Sequence, residues 1–221
     1  ITAAVVKRLV EKGILEEYEY QVFRLESSGG ATENPSDIVF SPKQQEVYDG
    51  LLKLMNEDAP KCALLRGITG SGKTSVFIRL INEAVKQGKS AIMLVPEISL
   101  TPQMVGWFHA RFGADAAVIH SRLSAGERID EWERIRRGEA RVVIGARSAV
   151  FAPVETLGAV IVDEEHEGAY QSEKRPRYDA REIAWRRCET NGGVLVLGSA
   201  TPSIASYMRV MPGVKPQNRL T

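Results

Sequence analysis

The eight residues GITGSGKT, Gly67 to Thr74, constrain this chain more than any other stretch. They satisfy the spacing Gly-x-x-x-x-Gly-Lys-Thr, and they follow the apolar run CALLRG while opening the amphipathic stretch SVFIRLINEAVKQG. A strand, a glycine-rich turn and a helix in that order form a phosphate-binding loop. Glycines at 67, 70 and 72 let the backbone curl, so that its amides, with those of Thr69 and Ser71, point inward at a β-phosphate. The helix start adds its dipole. Lys73 is expected to reach the β and γ phosphates, and Thr74 to offer its hydroxyl to magnesium.

A second motif supplies the complementary half. In AVIVDEEH the apolar residues read as a buried strand that delivers Asp163 to its end, where the carboxylate can hold magnesium through water. Glu164 is the candidate to orient and deprotonate an attacking water. His166 stands too far along the turn to be that base and is better placed to report on neighbouring groups.

Five further apolar runs join CALLRG: AIMLVP at 91–96, AAVIH at 116–120, RVVIG at 141–145, AVIVD at 159–163 and VLVLGS at 194–199. Amphipathic segments such as RIDEWERIRRG separate them. Apolar strands alternating with helices predict parallel pairing with both faces covered, hence an α/β three-layer sandwich. At its start the chain is different. TAAVVKRLVEKGIL has helical spacing and EYEYQVFRL alternates like a strand, as in the last part of a winged helix, while ESSGGATENPSD reads as a linker. The expected division is therefore residues 1–25, a linker at 26–37, and a nucleotide-binding domain at 38–221.

Charge excludes little: 29 basic against 28 acidic residues leave a net +1, so any argument for nucleic acid must be local. Two cysteines, Cys62 and Cys188, are too few for a zinc cluster or a disulfide framework, and read as thiols in a reducing, cytoplasmic setting. No apolar run approaches the roughly 20 residues that span a bilayer. No Asn-Lys-x-Asp guanine motif is present, and Gln44 or Gln45 in SPKQQ could read adenine through its amide, so ATP is preferred to GTP.

GITGSGKT, LVPEISLTPQ, IHSRLSAGER, VIGARSAVFAP, DEEH and LGSATPS occur in the order and spacing of helicase motifs. Together they resemble the first motor lobe of the PriA family of bacterial replication-restart helicases, within superfamily 2. The resemblance implies a RecA-like P-loop lobe, preceded by the end of a winged-helix DNA-binding domain. It further implies 3′ to 5′ translocation driven by ATP and Mg2+. The implied partners are single-stranded and forked DNA, with primosome proteins and a single-stranded DNA-binding protein. Zinc is implied only in a part of the family's chain beyond this one, as is a second lobe carrying an arginine finger. The expectation that follows is a first lobe nearly inactive alone.

Coupling roles fall to His166, Ser199 and Thr201, the last two being small hydroxyl residues just past a strand. They could equally cap a helix, for which Pro202 suits the start. Arg147 and Ser148 in GARS resemble a motif that contacts the DNA backbone, although Ala146 stands where the family usually has threonine. From Lys174 to Arg187 six basic residues face two acidic ones, with Tyr170 and Tyr178 nearby. Basic groups neutralise phosphates and aromatics stack on bases. Tyr170, Arg177 and Tyr178 are accordingly expected DNA contacts, the rest of the run being also readable as a solvated helix face. The family's Tyr-Lys-Gln reads Tyr170, Gln171, Ser172 here, and its usual histidine is Asp179. Two other readings remain: a restriction-type DNA translocase, which the motifs fit less well, and a non-catalytic, nucleotide-gated DNA-binding module.

Overall fold

A computed structural model of the chain describes residues 31–57, 61–173 and 175–210, with positions 5, 8–10, 12 and 14. The expected winged-helix remnant at 1–25 lies outside the described residues apart from those few positions, as do residues 26–30 of the linker.

Six strands form one parallel sheet in the order β1-β6-β5-β2-β4-β3. They are β1 (Lys61–Arg66), β2 (Ser90–Leu94), β3 (Ala116–Ile119), β4 (Val142–Gly145), β5 (Leu157–Val162) and β6 (Val194–Ser199). All six apolar runs are therefore strands. β5 and β6 lie inside the sheet and are buried along their whole length, whereas β1, at one edge, is only partly covered. Continuous apolar runs with both faces covered are what central parallel strands require.

Helices α1 (Pro42–Met55), α2 (Lys73–Lys86) and α3 (Pro102–Phe112) supply one apolar layer, in which Leu51, Phe77, Leu80, Ile81 and Phe108 meet the sheet. Helices α4 (Ala125–Arg136) and α5 (Ala180–Asn191) cover the other through Ile135, Ala184 and Cys188. Burying each such Leu, Ile or Phe contributes roughly 1.5–3 kcal/mol. α1 and α4 begin in capping boxes, Ser41 with Gln44 and Ser124 with Glu127, which satisfy otherwise orphaned backbone donors. α5 ends at Gly192, left-handed at φ 69°, where a side chain would be strained. α6 (Ile204–Val210) follows β6. It starts at Ile204, and the Ser203 hydroxyl accepts from the Ser206 amide, so Ser203 does the capping that Thr201 and Pro202 suggested.

The end of the segment expected to be a linker is docked. Pro35 is buried, and Arg79 of α2 donates to the carbonyls of Ser36 (2.8 Å) and Ile38 (3.1 Å). Cys188 is buried and its thiol is pushed up to about 12 by desolvation, while Cys62 is half-buried. Among the described residues no helix is long and apolar enough to cross a membrane.

Candidate active site

The phosphate loop joins β1 to α2 at the C-terminal edge of the sheet. Gly70 (φ 80°) and Gly72 (φ 82°) both take left-handed backbone. At Gly72 a Cβ would also displace the Gln44 amide from the loop, on top of the strain of the left-handed backbone. Gln44 donates from Nε2 to the Ser71 carbonyl (2.9 Å), while its Oε1 accepts from the Ser41 amide (2.8 Å). Gln45 turns away to Asp49 (2.7 Å), which leaves Gln44 as the glutamine facing the loop. Gln44, Val47, Arg66, Gly67 and Lys73 line a cleft of about 310 Å³.

Lys73 is buried at the floor. Its Nζ donates to the Gly67 carbonyl (2.7 Å) and lies 3.6 Å from Glu164 Oε1. The loop and the acidic motif thus converge on one point. Asp163 follows β5, its amide bonded to the Leu94 carbonyl (2.9 Å). Burial, and then the neighbouring Glu164, push its carboxyl above the usual carboxylate range. That surplus of desolvated negative charge suits a divalent cation, which Asp163 and the Thr74 hydroxyl would hold. Among the described residues no group of three or more metal-ligating side chains exists.

Glu164 has φ 45°, left-handed for a residue with a side chain, and its amide donates to Asp163 Oδ1 (3.0 Å). Such backbone costs of order 1–3 kcal/mol and persists where the surroundings enforce it. The other carboxylate oxygen of Glu164 stands 3.6 Å from His166 Nδ1. That nitrogen is 2.8 Å from Ser199 Oγ, which also accepts from the Thr201 amide (3.1 Å). His166 and Ser199 are therefore joined by a hydrogen bond, while Thr201 contributes its backbone and leaves its side chain exposed. The Ser199 carbonyl accepts from the Gly67 amide (3.1 Å), tying the same segment to the phosphate loop.

Two motifs interlock nearby. Glu97 of LVPEISLTPQ accepts from the Ser121 hydroxyl and amide of IHSRLSAGER, and the Ser121 hydroxyl bond is the main cause holding the Glu97 carboxyl below its usual range.

The expected DNA contacts divide. Tyr170 requires correction: it is 0% exposed, and its hydroxyl bonds to the carbonyls of Asp163 (2.5 Å) and Leu94 (3.1 Å). A ring with no accessible face cannot stack on a base. Burial raises its phenol far above the ordinary value, so it stays a neutral donor. Arg147 is half-buried and donates to the carbonyls of Gln171 (2.5 Å) and Ala169 (3.3 Å), bracing the loop after the acidic motif. Ser148 and Arg177 are exposed. Tyr178 is half-buried and meets Phe151, itself 45% exposed, edge to face at 5.0 Å.

Much of the expected basic patch is committed to the fold. Arg181 pairs with Asp179 (2.6 Å), Arg187 donates to the carbonyls of Val150 (2.5 Å) and Ala152 (2.8 Å), and Arg186 pairs with Glu189 (3.0 Å). Lys174 lies outside the described residues. Sequence reasoning missed Glu165, which is fully buried and bonded to Ser203 and Ser206. Nothing local marks it, because those partners stand 38 and 41 residues further on.

The chain belongs to the DEAD/DEAH box helicases, whose family pattern matches residues 41–210. Among curated relatives it is 46% identical over 213 residues, 96% of this chain, to replication restart protein PriA of Bacillus subtilis (strain 168). To PriA of Chlamydia pneumoniae it is 45% identical over 188 residues. The resemblance carried by the six motifs is thereby borne out. The chain spans about a quarter of the length of these relatives, 26% and 25% respectively. Among solved structures, RecG bound to a three-way DNA junction aligns with a TM-score of 0.57 at 21% identity, covering 80% of this chain and 24% of that one. The Pyrococcus furiosus Hef helicase domain aligns at 0.50 and 19%, covering 73% and 32%. At such identities these two speak to the fold alone, a RecA-like α/β lobe.

Proposed function

We propose that the chain forms the first motor lobe, residues 38–221, of an ATP-driven DNA helicase of replication restart, preceded by the end of a winged-helix domain. The observation that carries this reading is the approach of Lys73 to Glu164 (3.6 Å), which brings the phosphate loop and the acidic motif to one site. The amides of Thr69, Gly70, Gly72 and Lys73 would wrap the phosphates, those of Gly67 and Ser71 being taken by the Ser199 and Ile68 carbonyls. Gln44, beside the loop, would face the adenine. Lys73 would leave the Gly67 carbonyl for the β and γ phosphate oxygens, releasing Glu164 to accept a proton from the attacking water. Thr74, with Asp163 acting through water, would hold magnesium, which would supply neutralisation of the phosphate charge.

Loss of the γ-phosphate would be felt by Glu164 and passed through His166 to Ser199. Single-stranded or forked DNA is proposed to run 3′ to 5′ over the exposed Ser148 and Arg177 and the half-buried Arg147 and Tyr178. Primosome proteins and a single-stranded DNA-binding protein are proposed partners from the resemblance to PriA. A second lobe would complete the site with an arginine finger, a contact worth about 10³–10⁵ in rate in related phosphoryl transfer.

The test uses a polypeptide extended through a second lobe to the length of the relatives. ATP turnover stimulated by forked DNA is expected, with Lys73→Ala abolishing it. Glu164→Gln should retain ATP binding and lose unwinding; unchanged turnover in that variant would overturn the assignment.

A further inference from the structure

Glu165 is 0% exposed, yet it carries a carboxylate. Burying such a group costs several kcal/mol unless donors replace its water. Here they do. Oε1 accepts from the Ser203 amide (2.7 Å), and Oε2 accepts from the hydroxyls of Ser206 (2.5 Å) and Ser203 (3.2 Å). Its backbone is held as firmly, the amide donating to the Gly198 carbonyl (2.9 Å) and the carbonyl accepting from Arg181 (2.6 Å). An apolar side chain would fill the same space at lower cost, so the carboxylate has to be explained by the geometry it enforces.

That geometry concerns its neighbour. Glu164 sits in left-handed backbone at φ 45°, a conformation that relaxes unless both flanking residues are pinned. On one side Asp163 is fixed by its amide bond to Leu94 and by the Tyr170 hydroxyl on its carbonyl. On the other side Glu165 is fixed by its backbone bonds to Gly198 and Arg181 and by its carboxylate bonds to Ser203 and Ser206. The segment it grips is also anchored four residues earlier, where Ser199 meets His166. Ser199 to Ser206 is thus fastened to the acidic motif at two points, and any displacement of that segment must pull on Glu165.

We infer that Glu165 is a positioning residue whose carboxylate, gripped by Ser203 and Ser206, holds Glu164 in its left-handed conformation beside Lys73. The inference rests on the reading of Glu164 as the group that activates water. Glu165 is enclosed by protein, so its effect runs through Glu164.

The experiment compares Glu165→Ala and Glu165→Gln in the two-lobed protein, measuring DNA-stimulated kcat, affinity for a fluorescent ATP analogue, and thermal melting. Glutamine keeps one acceptor for the Ser203 amide and can donate to the Ser206 hydroxyl, so it should recover most of what alanine loses. The expected result is a fall in kcat of about tenfold or more for alanine, about 1.4 kcal/mol, with analogue affinity within about twofold. Glutamine should stand within about threefold of the parent. Unchanged kcat in Glu165→Ala would overturn the inference, as would a joint fall in kcat, affinity and melting temperature that glutamine does not repair. Should the alanine variant not fold, Ser203→Ala combined with Ser206→Ala takes its place, with the same kcat loss expected and an unchanged kcat decisive against. Failure of the underlying reading looks different: the parent protein itself would lack turnover, or Glu164→Gln would turn over normally.

Discussion

Tyr170 offers the sharpest separation between a nucleic-acid contact and a core residue. Its ring is fully enclosed and its hydroxyl bridges the carbonyls of Leu94 and Asp163. In Tyr170→Phe the Leu94 carbonyl keeps a partner, the Asp163 amide at 2.9 Å, whereas the Asp163 carbonyl loses the donor at 2.5 Å. One buried acceptor left short of a partner costs about 1–2 kcal/mol, within the range for such groups. Tyr170→Ala adds a cavity the size of the ring and should cost roughly 3–5 kcal/mol. In a domain of this size each kcal/mol lowers the melting temperature by about 2–4 °C. Urea unfolding of the chain should therefore give a small step for phenylalanine and a large one for alanine, with the denaturant slope unchanged. Single-stranded DNA affinity, measured by fluorescence anisotropy, should not move in the phenylalanine variant. A phenylalanine variant as stable as the parent but weakened for DNA would refute the core assignment and restore the stacking role.

Asp163→Asn should abolish ATP turnover and yet raise the melting temperature. Because burial and Glu164 lift the folded-state pKa of Asp163, its contribution favours the fold below the unfolded value of 3.8 and is lost as pH rises through the folded value. The asparagine gain should therefore be full at neutral pH and vanish in acid, and a destabilised variant at pH 7 would contradict the sign. Gly72→Ala forces a side chain onto Gln44 at positive φ, and ATP-analogue affinity should fall about tenfold or more, read by titration. Tyr178→Ala in the two-lobed protein should lower DNA stimulation more than basal hydrolysis; equal loss of both would count against a coupling role. Arg187→Ala leaves the Val150 and Ala152 carbonyls without their guanidinium, and its effect should appear in thermal stability rather than in DNA affinity.

All six strands were legible as apolar runs, since parallel strands covered on both faces cannot disguise their composition. Their order was not, because each run is as apolar as the next and spacing along the chain says nothing about which neighbours pair. The nucleotide site was legible for the opposite reason: phosphate chemistry needs glycines, a lysine and a hydroxyl within eight consecutive residues. The stretch after the acidic motif misled, because a count of charges does not reveal their partners. Arg181 and Arg187 look like phosphate ligands in sequence and are bound to Asp179 and to backbone carbonyls in the fold. Tyr170 misled in the same way, its carbonyl partner Leu94 standing 76 residues earlier.

Between the strand that feeds the phosphate loop and the strand that ends at Asp163 runs a third, β6. Neighbouring strands sit about 4.8 Å apart, so β6 acts as a gauge block that keeps the two halves roughly 10 Å from each other. A lysine is long enough to cross that width, and Lys73 crosses it. At Gly198 of β6 a Cβ would meet the Phe77 ring of α2 at 2.6 Å, so this strand also lies close under the helix that starts at Lys73. The clearance for a triphosphate would then be set by the breadth of a strand whose own side chains lie buried between the two halves of the site.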